Sequence, residues 1–243
     1  TICCRTVLAD NRWKARVYTA GTRRNNPLIL KLAVHIERRG AVTIVCHTKM
    51  MPHVIIDRRS GKIEVAPDAG SSATFVYNPA DPTPTVGGRL LSPVGGYRDD
   101  TALARRADVL TFTGDPLPAD LYVVGTPVLE LSHSCPNPHN DLFVRISQID
   151  AHGRSRNVSD GYRASAPDGI VRIELDSIAR SFPAGCRIRL LVAGGSHPRF
   201  VRNLGTGEPA VSGTNISTAR HTVHLGDASR LILPGGDEPP SIN

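Results

Sequence analysis

Short segments in which apolar and polar residues alternate run through the second half of this chain. In the segment 141–150, Leu142, Val144 and Ile146 take every second position. A period of two buries one face of a strand and leaves the other in water. About eight such segments, roughly ten residues apart and separated by turn residues, occupy 108–234. This pattern predicts an antiparallel β-sandwich or jelly roll, and the 22 Gly and 19 Pro residues favour that loop-rich class over a helical bundle.

Basic residues take the water-facing positions of several predicted strands. Arg145, Arg172, Arg187 and Arg189 each stand between apolar neighbours. A charged side chain is rarely buried without a partner. The alternation therefore predicts that these four arginines lie at edges or on the surface.

A stretch rich in proline and glycine precedes the sandwich, from Pro67 to Gly96. Proline fixes φ and cannot donate a ladder hydrogen bond, so this stretch is excluded from the centre of a sheet. We interpret 66–107 as an extended linker that lies over a surface. The sandwich then takes 108–234, and 235–243 form a tail.

The first quarter of the chain is strongly basic. Residues 1–62 contain 13 Lys and Arg against three acidic residues. Such a segment could bind nucleic acid or an anionic membrane. It lacks interleaved aromatic residues and a helix-turn-helix pattern, so we favour a solvated end whose partner surface is absent from this chain. Segments 12–19, 41–47 and 53–57 look like strands, and 27–36 fits either a strand or a helix.

The cysteines indicate a reducing compartment. There are five of them and no Cys-x-x-Cys pair, which argues against a disulfide framework and against zinc. We expect Cys135 and Cys186 to be buried as small apolar side chains. No apolar run has the length of a membrane span or the form of a signal peptide. We therefore expect a cytoplasmic protein, although the chain starts at Thr1 rather than Met and could lack its beginning.

The sequence contains no Gly-x-Ser-x-Gly nucleophile motif and no metal-binding or phosphate-binding motif. Ser196 stands beside His197, but adjacent side chains rarely point at each other, so we interpret that pair as a structural loop. His221 and His224 are three apart in a predicted strand and should face opposite sides. The polar cluster 155–161 is interpreted as turn chemistry. We predict no catalytic residue, no metal and no cofactor.

Several segments, taken together, resemble a known family. They are ADVLTFTGDPLPADLYVVGTPVLELSHS, NDLFVRISQIDAHGRSRNVSDGYRAS, FPAGCRIRLLVAGGSHPRFVRNLGTGEP and ARHTVHLGDASRLILP, preceded by the linker-like NPADPTPTVGG. In order and spacing they resemble the carboxy-terminal domain of cocaine esterase-like (CocE/NonD) hydrolases, a domain also found in Xaa-Pro dipeptidyl peptidases. The resemblance covers about 74–234.

The resemblance implies a galactose-binding-like jelly roll that packs on an α/β-hydrolase domain. In that family Ser, His and Asp of the upstream domain hydrolyse esters or Xaa-Pro peptides. This chain would then be non-catalytic and inactive alone, with 1–65 as a poorly matched remnant, or the end, of the upstream hydrolase domain. A jelly roll without that domain exposes an apolar face, so we expect self-association. We predict that the domain interface contains His197, Arg199, Phe200, Arg202 and Asn203. The alternative is that these residues form a purely structural loop.

Two other functions compete with this interpretation. A stand-alone carbohydrate- or ligand-binding jelly roll is the first, but such modules expose tryptophan or tyrosine for stacking on sugars. The sole tryptophan here is Trp13, which lies outside the predicted sandwich. The second is nucleic-acid binding through the basic first quarter. We expect neither nucleic acid nor a membrane to be the partner.

Overall fold

The computed structural model describes residues 71–225 and 229–236. Before residue 71 it describes only the backbone of six strands. Predictions about the residues between those strands lie outside the described part of the chain. Most of the predicted tail 235–243 also lies outside it. The early strands are β1 (Ile2–Ala9), β2 (Trp13–Ala20), β3 (Leu32–Arg38), β4 (Ala41–Cys46), β5 (His53–Asp57) and β6 (Lys62–Ala66).

The sandwich itself is built from eleven further strands of the described chain, together with a 3-10 helix at Leu103–Arg105. The strands are β7 (Ser71–Tyr77), β8 (Val109–Thr113), β9 (Leu121–Gly125), β10 (Val128–Ser134), β11 (Leu142–Ile149), β12 (Ser155–Arg163), β13 (Gly169–Glu174), β14 (Ile178–Phe182), β15 (Arg187–Ala193), β16 (Ala219–Leu225) and β17 (Arg230–Gly236).

The described strands form two antiparallel sheets. The smaller sheet has the order β12-β11-β15-β8. In the larger sheet β17, β10, β16 and β7 follow one another, β13 pairs with β10, and β14 pairs with β9. The strands β1 to β6 continue the larger sheet from β17. The prediction of an antiparallel β-sandwich is confirmed, and the jelly-roll connection stays a prediction.

The main core lies between the two sheets. Leu142, Val144 and Ile146 of β11 pack there against Leu131 and Val223 of the opposite sheet, and all five are at most 2% exposed. The alternation in the sequence correctly predicted that these β11 side chains face the core, because every second residue of a strand points to the same face. Cys135 and Cys186 are buried free thiols, which confirms the prediction for them.

The opposite face of β11 is also buried, which the alternation did not predict. Phe143, Arg145 and Ser147 point away from the main core and are at most 1% exposed. Their cover is residues 78–107, which we call the strap, and the loop 196–203. Leu103 of the strap packs with Phe143 in a second apolar cluster. Both faces of β11 in the smaller sheet are therefore buried.

Three sequence interpretations need correction. Arg145 was predicted to lie on the surface and is fully buried, because the strap covers its face of the sheet. The cluster 155–161 was interpreted as a loop and forms most of β12, since its polar side chains find partners under the strap. The part Ser71–Tyr77 of the predicted linker is a strand paired with β16, at the edge of the sheet where proline-rich flanks are tolerated.

Candidate functional site

A buried ion pair lies at the centre of the outer face of the smaller sheet. Arg145 of β11 stands directly opposite Asp160 of β12 in the strand register. Its guanidinium donates from Nε to Asp160 Oδ1 at 2.6 Å and from Nη2 to Oδ2 at 3.0 Å. Both side chains are at most 1% exposed. This two-point geometry fits a guanidinium fork to a carboxylate and stabilises charges that would otherwise be costly to bury.

The strap supplies a second carboxylate to the same arginine. Asp100 Oδ2 lies 3.6 Å from Arg145 Nη1 and accepts the Ser147 hydroxyl at 2.6 Å. Asp100 is fully buried, although it lies in the segment interpreted as a linker. Its backbone N–H donates to Ser155 O, which fixes this part of the strap against β12. The Asp100 carboxylate thus ties the strap to the sheet.

From Asp160 the charges continue outward to the surface. Arg199 of the 196–203 loop donates to Asp160 Oδ2 and, at 3.0 Å, to Asp176 Oδ2. Arg89 of the strap then donates to Asp176 Oδ1 at 3.1 Å. Side-chain exposure rises along this series from 1% at Asp160 to 71% at Arg89. Three carboxylates and three guanidinium groups alternate, and we call this series the charge chain.

A glycine allows the strap to approach the charge chain closely. Gly88 has a φ of +80°, in the left-handed region that favours glycine. A Cβ at this position would collide with Asp160 Oδ2 and would lie 2.8 Å from Arg199 Nη1. The strap therefore needs glycine here both for its backbone conformation and for the space above the ion pair.

An aromatic cluster lies beside the charge chain. Phe200 stacks on Tyr162 with ring centroids 4.0 Å apart and packs at 6.2 Å from Phe143. The Tyr162 hydroxyl donates to Asp141 Oδ2. Burial and the nearby Asp141 carboxylate raise the pKa of Tyr162 well above its ordinary value. This phenol therefore stays protonated and serves as a hydrogen-bond donor.

The five residues predicted for the domain interface have different positions. His197 is exposed, and its backbone N–H and carbonyl bond to the strap at Thr83 O and Thr85 N. Arg199 belongs to the charge chain and Phe200 to the aromatic cluster. Arg202 donates to Pro79 O at 3.2 Å, and Asn203 Oδ1 accepts Gly205 N at 2.8 Å. Four of the five side chains are thus engaged within the domain, and their role in a domain interface stays a prediction.

The suspected serine and histidine pairs have structural partners. Ser196 is 2% exposed, and its hydroxyl bonds to Thr85 Oγ1 at 3.0 Å. His221 is buried and His224 is exposed, which confirms their placement on opposite faces of β16. His221 Nδ1 lies 3.0 Å from His133 Nε2. Within 71–225 and 229–236, no group of three or more His, Cys, Asp or Glu side chains could hold a metal ion.

Sequence reasoning missed the charge chain because its members are far apart in the sequence. Arg145 and Asp160 are separated by 15 positions, and Asp100 lies in the segment that the sequence analysis interpreted as a linker. One signal was available. Once β11 and β12 are aligned as an antiparallel pair, Arg145 falls opposite Asp160, and opposite charges on directly paired residues attract.

This arrangement joins a β-sandwich to a strap and a loop through buried charges, and it contains no nucleophile elbow. A family model for the X-Pro dipeptidyl-peptidase C-terminal non-catalytic domain matches residues 60–232. The chain belongs to this family of non-catalytic domains. The matched residues include β7 to β16, the strap and every member of the charge chain.

One curated protein and two solved structures are similar to this chain. Cocaine esterase of Rhodococcus sp. (strain MB1 Bresler) is 29% identical over 184 residues, which are 68% of this chain and 32% of that protein. An α-amino acid ester hydrolase structure has a TM-score of 0.59 at 22% identity, covering 70% of this chain and 34% of that one. An aminopeptidase from a marine sediment Thaumarchaeota archaeon has a TM-score of 0.61 at 22% identity, covering 71% and 34%.

The chain spans about one third of the length of the relatives it matches. The two structural likenesses establish a shared fold for that third. In the described part of the chain, no helix has the length and apolar character that crossing a bilayer requires.

Proposed function

We propose that this chain is the carboxy-terminal β-sandwich of a serine hydrolase and packs against an α/β-hydrolase domain that carries the nucleophile. The match to a non-catalytic domain family over 60–232 is the observation that carries this proposal. The absence of Gly-x-Ser-x-Gly from all 243 residues supports it. The engagement of Ser196 with Thr85 also supports it, because a hydroxyl without a base beside it is a weak nucleophile.

The surface that we assign to the hydrolase domain follows the 196–203 loop. Val201, Val211 and Ile216 are 66%, 98% and 48% exposed, although valine and isoleucine are commonly buried. Contiguous exposed apolar patches mark interaction surfaces, and we assign these three side chains to one such patch. The charge chain and the strap hold the beginning of this segment in place, so the surface is presented on a fixed support.

The catalytic part of the proposal is tested by assaying the purified chain with p-nitrophenyl acetate and with an Xaa-Pro p-nitroanilide. We expect no turnover above buffer, with an active serine esterase assayed in parallel as the positive control. Turnover that a serine-directed inhibitor blocks would contradict the proposal. Loss of that turnover in Ser196→Ala would assign it to this chain.

The interaction surface is tested by sedimentation velocity of the isolated chain. We expect concentration-dependent self-association, because the apolar surface lacks its partner domain. The variant Val211→Asp should shift the distribution toward monomer. Ile170→Asp is the matched control, since it removes a 63% exposed apolar side chain from β13. Equal effects of the two substitutions, or a wild-type monomer at every concentration, would count against this surface.

We also place the protein in the reducing environment of the cytoplasm. Cys135 and Cys186 are free and buried in separate parts of the sandwich. Burial raises the pKa of the Cys186 thiol to about 11, so this side chain stays a protonated, unreactive thiol at neutral pH. Reaction of the denatured chain with a thiol reagent, after purification without reductant, measures how many cysteines remain unoxidised.

A further inference from the structure

A cavity of about 330 Å³ opens beside the outer end of the charge chain. Its walls come from the strap at Gly88, Arg89, Gly96 and Tyr97, and from two segments of the sandwich, 157–160 and 176–180. This volume is at the lower end of the range for small-molecule sites. The nature of its free hydrogen-bonding groups determines which ligand it fits.

The carboxylates of the cavity are already occupied. Both oxygens of Asp160 accept from Arg145, and Oδ2 also accepts from Arg199. Asp176 accepts from Arg89 and from Arg199, one on each oxygen. Each of these two carboxylates therefore has two guanidinium partners, so a cationic ligand would have to compete with arginine for them.

Arg180 has the opposite character, because most of its donors are free. A guanidinium has five N–H groups. Arg180 Nη2 donates to Tyr97 Oη and to Gln148 Oε1, each at 2.7 Å, and both acceptors are neutral. Its Nε is buried and has no hydrogen-bond partner. Among the contacts of the described residues, no carboxylate pairs with this charge.

Tyr97 and neighbouring arginines strengthen the cationic character of the cavity. Arg180 and Arg156 lie 4.7 Å and 5.4 Å from the centroid of the Tyr97 ring. The Tyr97 hydroxyl accepts from Arg180, which leaves its own hydrogen free to donate. Arg89 donates to Asp176 from Nη1, and its side chain is 71% exposed. The hydrogen-bonding groups of the cavity that remain available to a ligand are therefore donors, and most of them carry positive charge.

We propose that this cavity binds a small anion through a phosphate or carboxylate group, with the Arg180 guanidinium as the main ligand and Arg89 and Tyr97 as further donors. Arg180 Nη1, which has no hydrogen-bond partner among the described residues, is the donor that can reach such a group, and a charged donor strengthens the hydrogen bond. Anion binding would satisfy the Nη1 donors of Arg180 and neutralise its charge. The bound anion would also bridge the strap, through Arg89 and Tyr97, to the segment 176–180 of the sandwich.

The experiment measures thermal unfolding of the whole 243-residue chain at constant pH and ionic strength, with increasing sodium phosphate or sodium acetate replacing sodium chloride. A ligand that binds the folded state raises the unfolding temperature in a saturable manner. We expect saturable stabilisation by at least one of the two anions. Stabilisation by phosphate alone identifies a phosphate site, by acetate alone a carboxylate site, and by both a site for either group.

Matched variants then identify the residue. In Arg180→Gln the apparent dissociation constant should rise about tenfold or more, because a charge-assisted contact is lost. Arg172→Gln removes an exposed arginine from β13 and should bind as the wild type does. If Arg180→Gln does not fold, isothermal titration of Arg180→Lys replaces it and should show clearly weaker binding. No saturable effect in the wild type, or equal binding by the Arg180 and Arg172 variants, would overturn the proposal.

Discussion

Asp160 is the residue on which the charge chain depends, because it accepts from both Arg145 and Arg199. Its partners differ in accessibility: the Arg145 side chain is fully buried, and that of Arg199 is 11% exposed. A buried arginine that loses its carboxylate retains its charge and has no water to solvate it. The contribution of this one carboxylate to stability should therefore far exceed that of a surface pair.

We predict that Asp160→Asn lowers the free energy of unfolding by about 3–5 kcal/mol, as measured by urea denaturation. The amide keeps the shape of the side chain but carries no charge, which leaves Arg145 with the more distant Asp100 carboxylate, at 3.6 Å, as its only other close acidic partner. Glu130→Gln is the control, because Glu130 pairs with the more exposed Arg172 and Arg230 and should cost about 0–1 kcal/mol. Similar losses in the two variants would show that the burial of Arg145 carries no special energetic weight.

Gly88 allows a second prediction for a single residue. Gly88→Ala should destabilise the fold by about 3 kcal/mol, since the new methyl group collides with Asp160 in a left-handed backbone conformation. Gly153 has the same φ of +80°, and a Cβ added there would meet nothing within 4 Å, so Gly153→Ala isolates the backbone cost of about 1 kcal/mol. Thermal or urea unfolding of both variants separates the cost of the collision from the cost of the backbone strain. Equal losses of unfolding free energy in the two variants would exclude the collision.

At the scale of elements, the strap converts an exposed sheet face into an interior. It bonds to β12 through Asp100 N and Arg98 O, and to the 196–203 loop through Thr85 N. The Arg199 side chain adds the link from that loop to Asp160 and Asp176. Several separate contacts thus hold a segment whose proline content prevents it from joining the ladder.

We predict that Arg199→Gln loosens the strap without unfolding the sandwich. Trypsin should then cleave after Arg89 or Arg98 of the strap several times faster than in the wild type, because cleavage requires local opening. Mass spectrometry identifies the cut sites and gel densitometry gives the rates. Arg172→Gln serves as the control on β13. Unchanged cleavage in Arg199→Gln would mean that the backbone contacts alone retain the strap.

At the scale of the whole molecule, a pair of buried histidines makes stability depend on pH. His133 of β10 and His221 of β16 are at most 1% exposed, and His221 stacks on Phe75 of β7 at 4.5 Å. Burial, and then the neighbouring His133, lower the pKa of His221 to about 3. Burial also lowers the pKa of His133, and the hydrogen bond with the Pro167 carbonyl, followed by Asp168, opposes that effect.

A base whose pKa is lower in the folded state takes up its proton on unfolding. Stability is therefore retained above the unfolded pKa, near pH 6.5, and is lost as the pH falls toward 3. We predict that the free energy of unfolding drops by about 2 kcal/mol from pH 7 to pH 5 through His221 alone. His221→Phe should flatten this dependence, whereas His152→Ala, in an exposed turn, should leave it intact. A wild-type value that stays constant over this interval would contradict the prediction.

Local signals accounted for most of the strands in the sandwich. Strands β8 to β11, β13 and β15 to β17 coincide closely with alternating segments, whereas most of β12 had been interpreted as a loop. The strands β7 and β14 were missed. The first lies in a proline- and glycine-rich setting, and the second carries Arg180 and Ser181 among its five residues. In both, pairing with neighbours distant in sequence outweighs the local composition.

The sequence by itself determined the β-sandwich and its inward-facing residues, because alternation and turn residues are local signals that can be recognised in one sequence. The order and spacing of several segments indicated the family. The tertiary structure alone decided that Arg145 is buried, that Asp100 and Asp160 are its partners, and that Arg180 keeps unused donors in a cavity. Burial of a charge depends on what covers it, and that cover comes from a strap distant in the sequence. Only folding brings such distant segments together.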